Sequence, residues 1–295
     1  MNQKLIKQFI SYIDKERKFS KHTIRSYQND LEQFNDFLSK YDKKLTFLSI
    51  DKTAIQFYIQ KCSKKNVSDK TLLRKVSTIK SFFKYLTNIQ LINYNISKLI
   101  DSPKISKKIP HYLSKNKIQE LMSLPNLSLK EGIMHKSILE LFYSSGLRIS
   151  ELVKIKRVDL NLDKSILKIL GKGDKERIVI IGKIALESIK NYLRVCKNSD
   201  NIYLYPSSNK MNSHVSVSYI YKMVKRYLVK VTNDEKMSPH SLRHSFATHL
   251  LDNGADLMSV KELLGHEDLS STQIYTHISI DKMKKIYKQS HPHGK

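Results

Sequence analysis

Two short segments place an arginine beside small, hydroxyl or histidine residues. One is Ser-Gly-Leu-Arg-Ile-Ser-Glu-Leu at residues 145–152, and the other is Pro-His-Ser-Leu-Arg-His at residues 239–244. In the second segment Arg243 follows His240 by three positions, which puts both side chains on one face of a helix. The arginine fork matches two phosphate oxygens, and histidine exchanges protons near neutral pH. Both segments therefore indicate a site that handles a phosphate group.

Three further residues add a nucleophile and proton donors. Tyr275 lies in Ile-Tyr-Thr-His, His266 follows Gly265, and Lys172 lies between two short apolar runs. Breaking a phosphodiester without a metal requires a nucleophile, cations for the non-bridging oxygens and an acid for the leaving oxygen. Tyrosine suits the first role because its phosphate ester stays reactive when the reaction reverses. The candidate catalytic residues are Arg148, Lys172, His240, Arg243, His266 and Tyr275.

Each of these residues alone has a simpler explanation, such as a core tyrosine, a surface ion pair or a structural histidine. A zinc site is the other chemistry that the histidines could indicate, because His240 and His244 have the i, i+4 spacing of a helical metal pair. However, Ser241 stands directly after His240, where the helical zinc motif His-Glu-x-x-His has its glutamate. Arg243 between the two histidines also disfavours a bound cation. We predict neither a metal nor another cofactor.

The first third of the chain, which precedes all of these residues, is predicted to be helical. No glycine precedes Gly132, and apolar residues recur every three or four positions in four segments of the first third. Ser20 and Ser68 are predicted to cap the second and fourth of these helices. Later in the chain, Ser238 and Pro239 are predicted to begin a helix, and Gly265 is predicted to end one. The fourth helix carries basic and hydroxyl side chains on its predicted outer face, which suits contacts with DNA phosphates. The candidate DNA contacts are Arg74, Lys75, Thr78 and Lys80.

Two domains are predicted, with a boundary near residue 105. Residues 102–110 contain two prolines and three lysines and show no periodicity, so we assign a domain to 1–102, a linker to 103–110 and a second domain to 111–295. In the second domain, strands are predicted at 165–170 and 176–181, with Lys172 at the tip of the hairpin between them. The fold class is mainly α with a small β-sheet or hairpin.

The composition indicates an anionic polymer as partner. The formal net charge is +26 over 295 residues, although only nine of the 53 basic residues are arginine. An arginine in so lysine-rich a chain indicates a need for its planar fork. Two distant cysteines, Cys62 and Cys196, and the lack of a signal sequence or an apolar run of about 20 residues predict a cytoplasmic protein without membrane insertion.

Taken together, the motifs resemble those of the tyrosine recombinase (phage integrase) family. The ending from Tyr287 to Pro292 resembles its Xer branch, the bacterial chromosome-dimer resolvases. The resemblance implies a SAM-like helical core-binding domain and a catalytic domain that together clamp double-stranded DNA at a specific site. It further implies attack by Tyr275, a 3′-phosphotyrosyl link, and a Holliday junction within a homotetramer or a heterotetramer with a sister recombinase. The usual family arrangement also includes activation by a septal DNA translocase, and resolution of chromosome or plasmid dimers at cell division.

Two further roles follow from the resemblance. Glu151 either supports the segment that carries Arg148 or is a simple surface acid of its helix. The tail, residues 281–295, is expected to dock on a neighbouring protomer. Three alternatives remain open: a mobile-element integrase, a non-catalytic DNA-binding relative, and a monomeric type IB topoisomerase. The six catalytic residue types count against the second, and the tail counts against the third. Integrases of mobile elements often carry an additional N-terminal domain, whereas this chain starts directly at the predicted core-binding helices, which counts against the first alternative.

Overall fold

A computed structural model describes residues 1–65, 67–101, 111–171, 176–196, 201–208, 212–265 and 280–294, without the side chains of residues 280 and 282. The chain divides into two compact units, Met1–Lys108 and Ile109–Lys295, and each unit has its own apolar core. The linker that we predict at 103–110 lies outside the described residues.

The described part of the first unit is helical. Its elements are α1 (Asn2–Lys15), α2 (Lys21–Tyr41), α3 (Lys52–Lys64), α4 (Asp69–Asn88) and a 3₁₀ turn (Ile96–Leu99). Ser20 and Ser68 cap α2 and α4 as predicted, because their side chains accept hydrogen bonds from backbone N–H groups three residues on. Both caps satisfy donors that the first helical turn leaves unpaired.

Aromatic side chains fill the core of the first unit. The ring of Phe82 packs edge-on against Phe9 and Phe47, with centroids 5.3 and 4.9 Å apart. These three side chains and Phe34 are fully buried. Burial of one such side chain contributes about 1.5–3 kcal/mol, so the amphipathic helices associate through this cluster.

The second unit combines helices with a small antiparallel sheet. Its described helices are α5 (Lys115–Ser123), α6 (Lys130–Ser145), α7 (Ile149–Leu152), α8 (Lys183–Val195), α9 (Val217–Thr232), α10 (Pro239–Asp252), α11 (Leu257–Leu264) and α12 (Ile280–Ser290). A 3₁₀ turn (Arg157–Asp159) precedes the strands β1 (Leu160–Asn161), β2 (Ile166–Leu170) and β3 (Glu176–Ile180), in the order β1-β2-β3. The predicted fold class is confirmed. The prediction missed β1, because two residues are too few to show alternation.

Helix α6 forms the centre of the second unit and buries polar as well as apolar faces. Its polar groups have partners: Ser137 shares a hydrogen bond of 2.7 Å with the hydroxyl of Tyr205, and His135 lies 2.7 Å from the hydroxyl of Tyr219. Such pairs are needed because a buried polar group without a partner costs about 1–3 kcal/mol. Among the described helices of both units, none is both long and apolar enough to cross a membrane.

Candidate active site

Arg148 is placed by a tight turn at the end of α6. Gly146 ends α6 in the left-handed region, with φ 57°. A Cβ at this glycine would lie 2.6 Å from a ring carbon of Phe246 and 2.9 Å from a methyl carbon of Leu264. Only glycine therefore fits the turn without strain. Two residues on, Arg148 is the N-cap of α7, and 37% of its side chain is exposed.

Glu151 holds Arg148 from within the first turn of α7. Its Oε2 accepts a hydrogen bond of 2.7 Å from the backbone N–H of Arg148, and its Oε1 accepts one of 3.0 Å from Nη1 of that arginine. Its carboxylate is buried. Of the two roles that we considered for Glu151, the geometry favours support of Arg148 over that of a surface acid.

A second arginine, Arg177 of β3, binds the same carboxylate. Its Nη1 and Nη2 donate to the two oxygens of Glu151 at 2.9 and 3.0 Å, which is the bidentate geometry of a strong charged pair. Burial raises the pKa of Glu151, but the hydrogen bonds from Arg177 and Arg148 outweigh it, and the pKa is lowered overall. We did not select Arg177 from the sequence. The signal that could have found it is the rarity of arginine in a chain rich in lysine.

Arg243 lies on α10, one turn after His240. Ser238 caps this helix and Pro239 occupies its first turn, as predicted. The guanidinium of Arg243 donates from Nη1 to the carbonyl oxygen of Gly146 and from Nη2 to that of Leu264, the latter at 2.8 Å. Burial first, and then the positive charge of Arg148, lower the pKa of Arg243 to about 10. The side chain therefore stays cationic at neutral pH, and it lies close enough to Arg148 for the two charges to interact.

His240 is exposed at the rim of an open cavity of about 390 Å³. The residues that line this cavity are His111, Lys236, His240, Ser241, Arg243, His244, Ala247 and Leu264. Donors and cations dominate the polar part of this lining, so the cavity suits an anionic group. Among the residues that the structure describes, no three His, Cys, Asp or Glu side chains converge as a metal site would require.

Three candidate catalytic residues, Lys172, His266 and Tyr275, lie outside the described residues. The structure does describe elements that flank two of them. Leu170 pairs with Glu176 at the end of β2 and the start of β3, next to the connection whose predicted tip holds Lys172. Gly265, with φ 64°, ends α11 directly before His266, as the predicted helix C-cap requires.

The candidate DNA contacts of α4 have mixed positions. Thr78 is fully buried and Lys75 nearly so, so their predicted place on the outer face of the helix is wrong. Both donate to Asp30 of α2, at 3.1 and 3.0 Å, and Arg74 donates to the same carboxylate. Their hydrogen bonds join α2 to α4 because a buried carboxylate needs several donors. Arg74 and Lys80 are partly exposed, and a DNA contact by these four residues stays a prediction.

The tail packs against its own unit. Tyr287 of α12 is buried in a cluster with Phe246 and Leu264. His293 Nδ1 lies 3.2 Å from Oε2 of the buried Glu140 on α6. The tail that we expect to dock on a neighbour is residues 281–295, and its described part, 281–294, packs on the unit of the chain that carries it.

Comparison with known proteins identifies the family. A model of the phage integrase family matches residues 111–282, and a model of the phage integrase N-terminal SAM-like domain matches residues 6–90. The chain belongs to the phage integrase family of tyrosine recombinases, and within it to the Xer branch. It is therefore an enzyme of site-specific DNA cleavage and rejoining.

Similar chains match over nearly their full length. The tyrosine recombinase XerD of Staphylococcus saprophyticus is 37% identical, with 98% of each chain covered. The tyrosine recombinase XerC of Syntrophus aciditrophicus is 36% identical, with 98% of this chain and 97% of that protein covered. These relatives include both XerC and XerD proteins at nearly equal identity.

Solved structures share the fold. The XerH site-specific recombinase in a post-cleavage complex with its palindromic difH substrate has a TM-score of 0.70 and 25% identity, over 95% of this chain and 83% of that one. A lambda integrase dimer bound to a core site also has a TM-score of 0.70, over 94% of this chain and 98% of that one. At 16% identity, the lambda likeness shows the fold alone.

Proposed function

We propose that this chain cuts one DNA strand by attack of Tyr275 on a phosphodiester, which forms a 3′-phosphotyrosyl link and frees a 5′ hydroxyl. Arg148 and Arg243 hold the two non-bridging oxygens of the phosphate. Lys172 protonates the leaving 5′ oxygen, and His240 and His266 donate hydrogen bonds or move protons. The energy of the broken bond is kept in the tyrosyl phosphodiester, so rejoining the strand requires no ATP or other nucleotide cofactor.

The observation that carries this proposal is the charge around Glu151. Three guanidinium groups, those of Arg148, Arg177 and Arg243, lie near this single carboxylate, and the four side chains together leave two positive charges. Attack of a tyrosinate on a phosphodiester gives a five-coordinate phosphorus with two negative charges. A preorganised site of matching charge stabilises this transition state more than the ground state, which carries one negative charge on the phosphate.

The partners that we propose follow from the relatives. The XerH neighbour is a recombinase bound to its difH substrate, and a lambda integrase structure is a tetramer bound to a Holliday junction. We infer that this chain likewise binds a specific duplex site and assembles with three further protomers, identical or from a sister recombinase. The biological outcome is resolution of chromosome or plasmid dimers in the cytoplasm at cell division, with a septal DNA translocase as activator.

We further propose that the domains 1–102 and 111–295 grip the duplex, and that the tail docks in trans in the assembled tetramer. The packing of the tail against α6 and α10 supports this, because the tail of a neighbour fits the same surface once each tail leaves the unit that carries it. Exchange of equivalent tails would conserve these contacts while linking the protomers.

Covalent trapping tests the function. Nicked suicide duplexes carrying candidate dimer-resolution sites are incubated with the protein in EDTA, alone and with a sister recombinase. We expect an SDS-resistant protein–DNA band with the wild type and none with Tyr275→Phe. Tyr41→Phe is the matched control, since Tyr41 is an exposed residue of the first unit, and it should form the band.

Two outcomes would overturn parts of the proposal. A band with Tyr275→Phe would reject the nucleophile. Tight and specific binding with no band, even with the sister recombinase present, would favour the non-catalytic DNA-binding relative.

A further inference from the structure

In the function proposed above, Arg177 contributes to the charge near Glu151 but is given no contact with DNA and no part in placing the groups that bind the phosphate. We propose that Arg177 is a positioning residue for DNA cleavage, acting on Arg148 through Glu151 and on the turn that leads to His266. This inference rests on the proposed function and adds a residue to it.

The first step of the argument is the shared carboxylate. The carboxylate of Glu151 accepts one hydrogen bond from the side chain of Arg148 and two from the side chain of Arg177. The side chains of Glu151 and Arg177 are only 6% and 16% exposed. A pair this well shielded from water holds its geometry far better than a surface ion pair. Arg177 therefore fixes where the carboxylate lies, and the carboxylate fixes Arg148.

The second step is charge. If Glu151 had Arg148 as its single partner, the two would form a neutral pair, and the guanidinium would be drawn toward the carboxylate rather than toward a phosphate. Because Arg177 binds both oxygens of Glu151, the positive charge of Arg177 compensates the carboxylate. The positive charge of Arg148 then stays available to attract a phosphate. Arg177 thus sets both the place and the effective charge of Arg148.

The third step is the contact with the turn after α11. A Cβ at Gly265 would lie 2.7 Å from Cδ and 2.8 Å from Nε of Arg177, so the arginine side chain packs closely against this glycine. Gly265 immediately precedes His266 in the sequence, and Arg177 lies on β3, the strand after the segment where Lys172 is predicted to form the hairpin tip. One side chain therefore touches the support of Arg148 and the turn before His266.

The experiment compares Arg177→Lys with the wild type at saturating DNA. Lysine keeps the charge but lacks the planar fork that holds both carboxylate oxygens in one fixed geometry, so the single-turnover rate of covalent-link formation should fall by roughly 100-fold, the loss that a misplaced catalytic group produces. DNA affinity and melting temperature should stay near the wild-type values. The matched control is Glu176→Gln, which removes the exposed ion pair of 2.7 Å with Lys168 from the adjacent position of β3, and it should cleave at the wild-type rate.

A second substrate separates positioning from a general structural defect. A neutral methylphosphonate at the scissile position lacks one charged oxygen, so it depends less on Arg148. The loss caused by Arg177→Lys should therefore be several-fold smaller on the methylphosphonate than on the phosphate. An equal loss on both substrates, or no loss on either, would overturn the inference. If the wild type formed no covalent link with either substrate, the proposed function would fail and this inference with it.

Discussion

Arg243 donates from Nη2 to the carbonyl oxygen of Leu264 at 2.8 Å, so a residue of α10 fixes the end of α11. Its Nη1 donates to the carbonyl oxygen of Gly146 at the end of α6. One guanidinium thereby joins the turn before Arg148 to the turn before His266. The same group that we propose as a phosphate ligand also holds together the two segments on either side of it.

We expect Arg243→Lys to lose most of the cleavage activity. A lysine has one ammonium group, which cannot reach both carbonyl oxygens and a phosphate at once, and removal of one transition-state donor typically costs 100- to 1000-fold, or about 3–4 kcal/mol. The measurement is the single-turnover rate of covalent-link formation. Arg194→Lys, at an exposed position in the last turn of α8, serves as control. Comparable rates for both variants would reject Arg243 as a phosphate ligand.

We expect Gly146→Ala to destabilise the second unit more than Gly254→Ala does. Both glycines have positive φ, 57° and 89°, so each substitution incurs about 1–2 kcal/mol of backbone strain. A Cβ at Gly254 meets nothing within 4 Å, whereas one at Gly146 meets Phe246 and Leu264. Overpacking should add roughly 1–3 kcal/mol at Gly146. Urea unfolding of the two variants measures the difference, and equal midpoints would contradict the close approach.

We expect Asp30→Ala to destabilise the first unit by about 3 kcal/mol or more, because the loss of the carboxylate leaves the buried ammonium of Lys75 without its counter-charge. Asp36→Ala, at an exposed position of the same helix, is the control and should change the free energy of unfolding by less than about 0.5 kcal/mol. Chemical unfolding of the full chain provides the measurement. A small effect of Asp30→Ala would show that the network of Lys75, Thr78 and Arg74 contributes little to stability.

We expect the second unit to lose stability as the pH falls below about 6.5. Burial, and then the charges of neighbouring groups, lower the pKa of His249 and His291 from their ordinary 6.5. In that range the unfolded chain binds more protons than the folded chain, so this contribution to stability is complete above the ordinary pKa and declines as the pH falls. Burial raises the pKa of Glu140, but the hydrogen bonds from His293 and Lys136 outweigh it, so the pKa is lowered overall. Protonation of Glu140 in stronger acid therefore also lowers the stability of the folded state.

Urea midpoints at about pH 7.5 and about pH 5.5 measure this dependence. His291→Phe is the informative variant, because phenylalanine fills the space between Phe246 and Tyr287 without a titrating group. Its midpoint should differ less between the two pH values than that of the wild type. Identical differences in the two proteins would exclude His291 as a contributor.

Features that depend on a few adjacent residues were predictable. Ser20 and Ser68 cap helices where the sequence predicts them, and Gly265 ends one, because a hydroxyl or a missing Cβ acts on the backbone within three residues. Apolar periodicity likewise predicted the helices and the hairpin that define the fold class. The motif order predicted the family, which the comparisons confirm.

Tertiary structure decided which charged groups from distant segments meet. Glu151 and Arg177 are 26 residues apart, and Asp30 and Lys75 are 45 apart, so neither pair shares a local pattern that could reveal it. An amphipathic pattern assigns Lys75 and Thr78 to a polar face, but it cannot show that a buried carboxylate of another helix covers that face. The sequence by itself determined the local backbone and the set of chemical groups, because both depend on near neighbours. Packing decided that Arg177 shares the carboxylate of Glu151 with Arg148, and that Lys75 and Thr78 are buried against Asp30, because burial and charge pairing depend on segments distant along the chain.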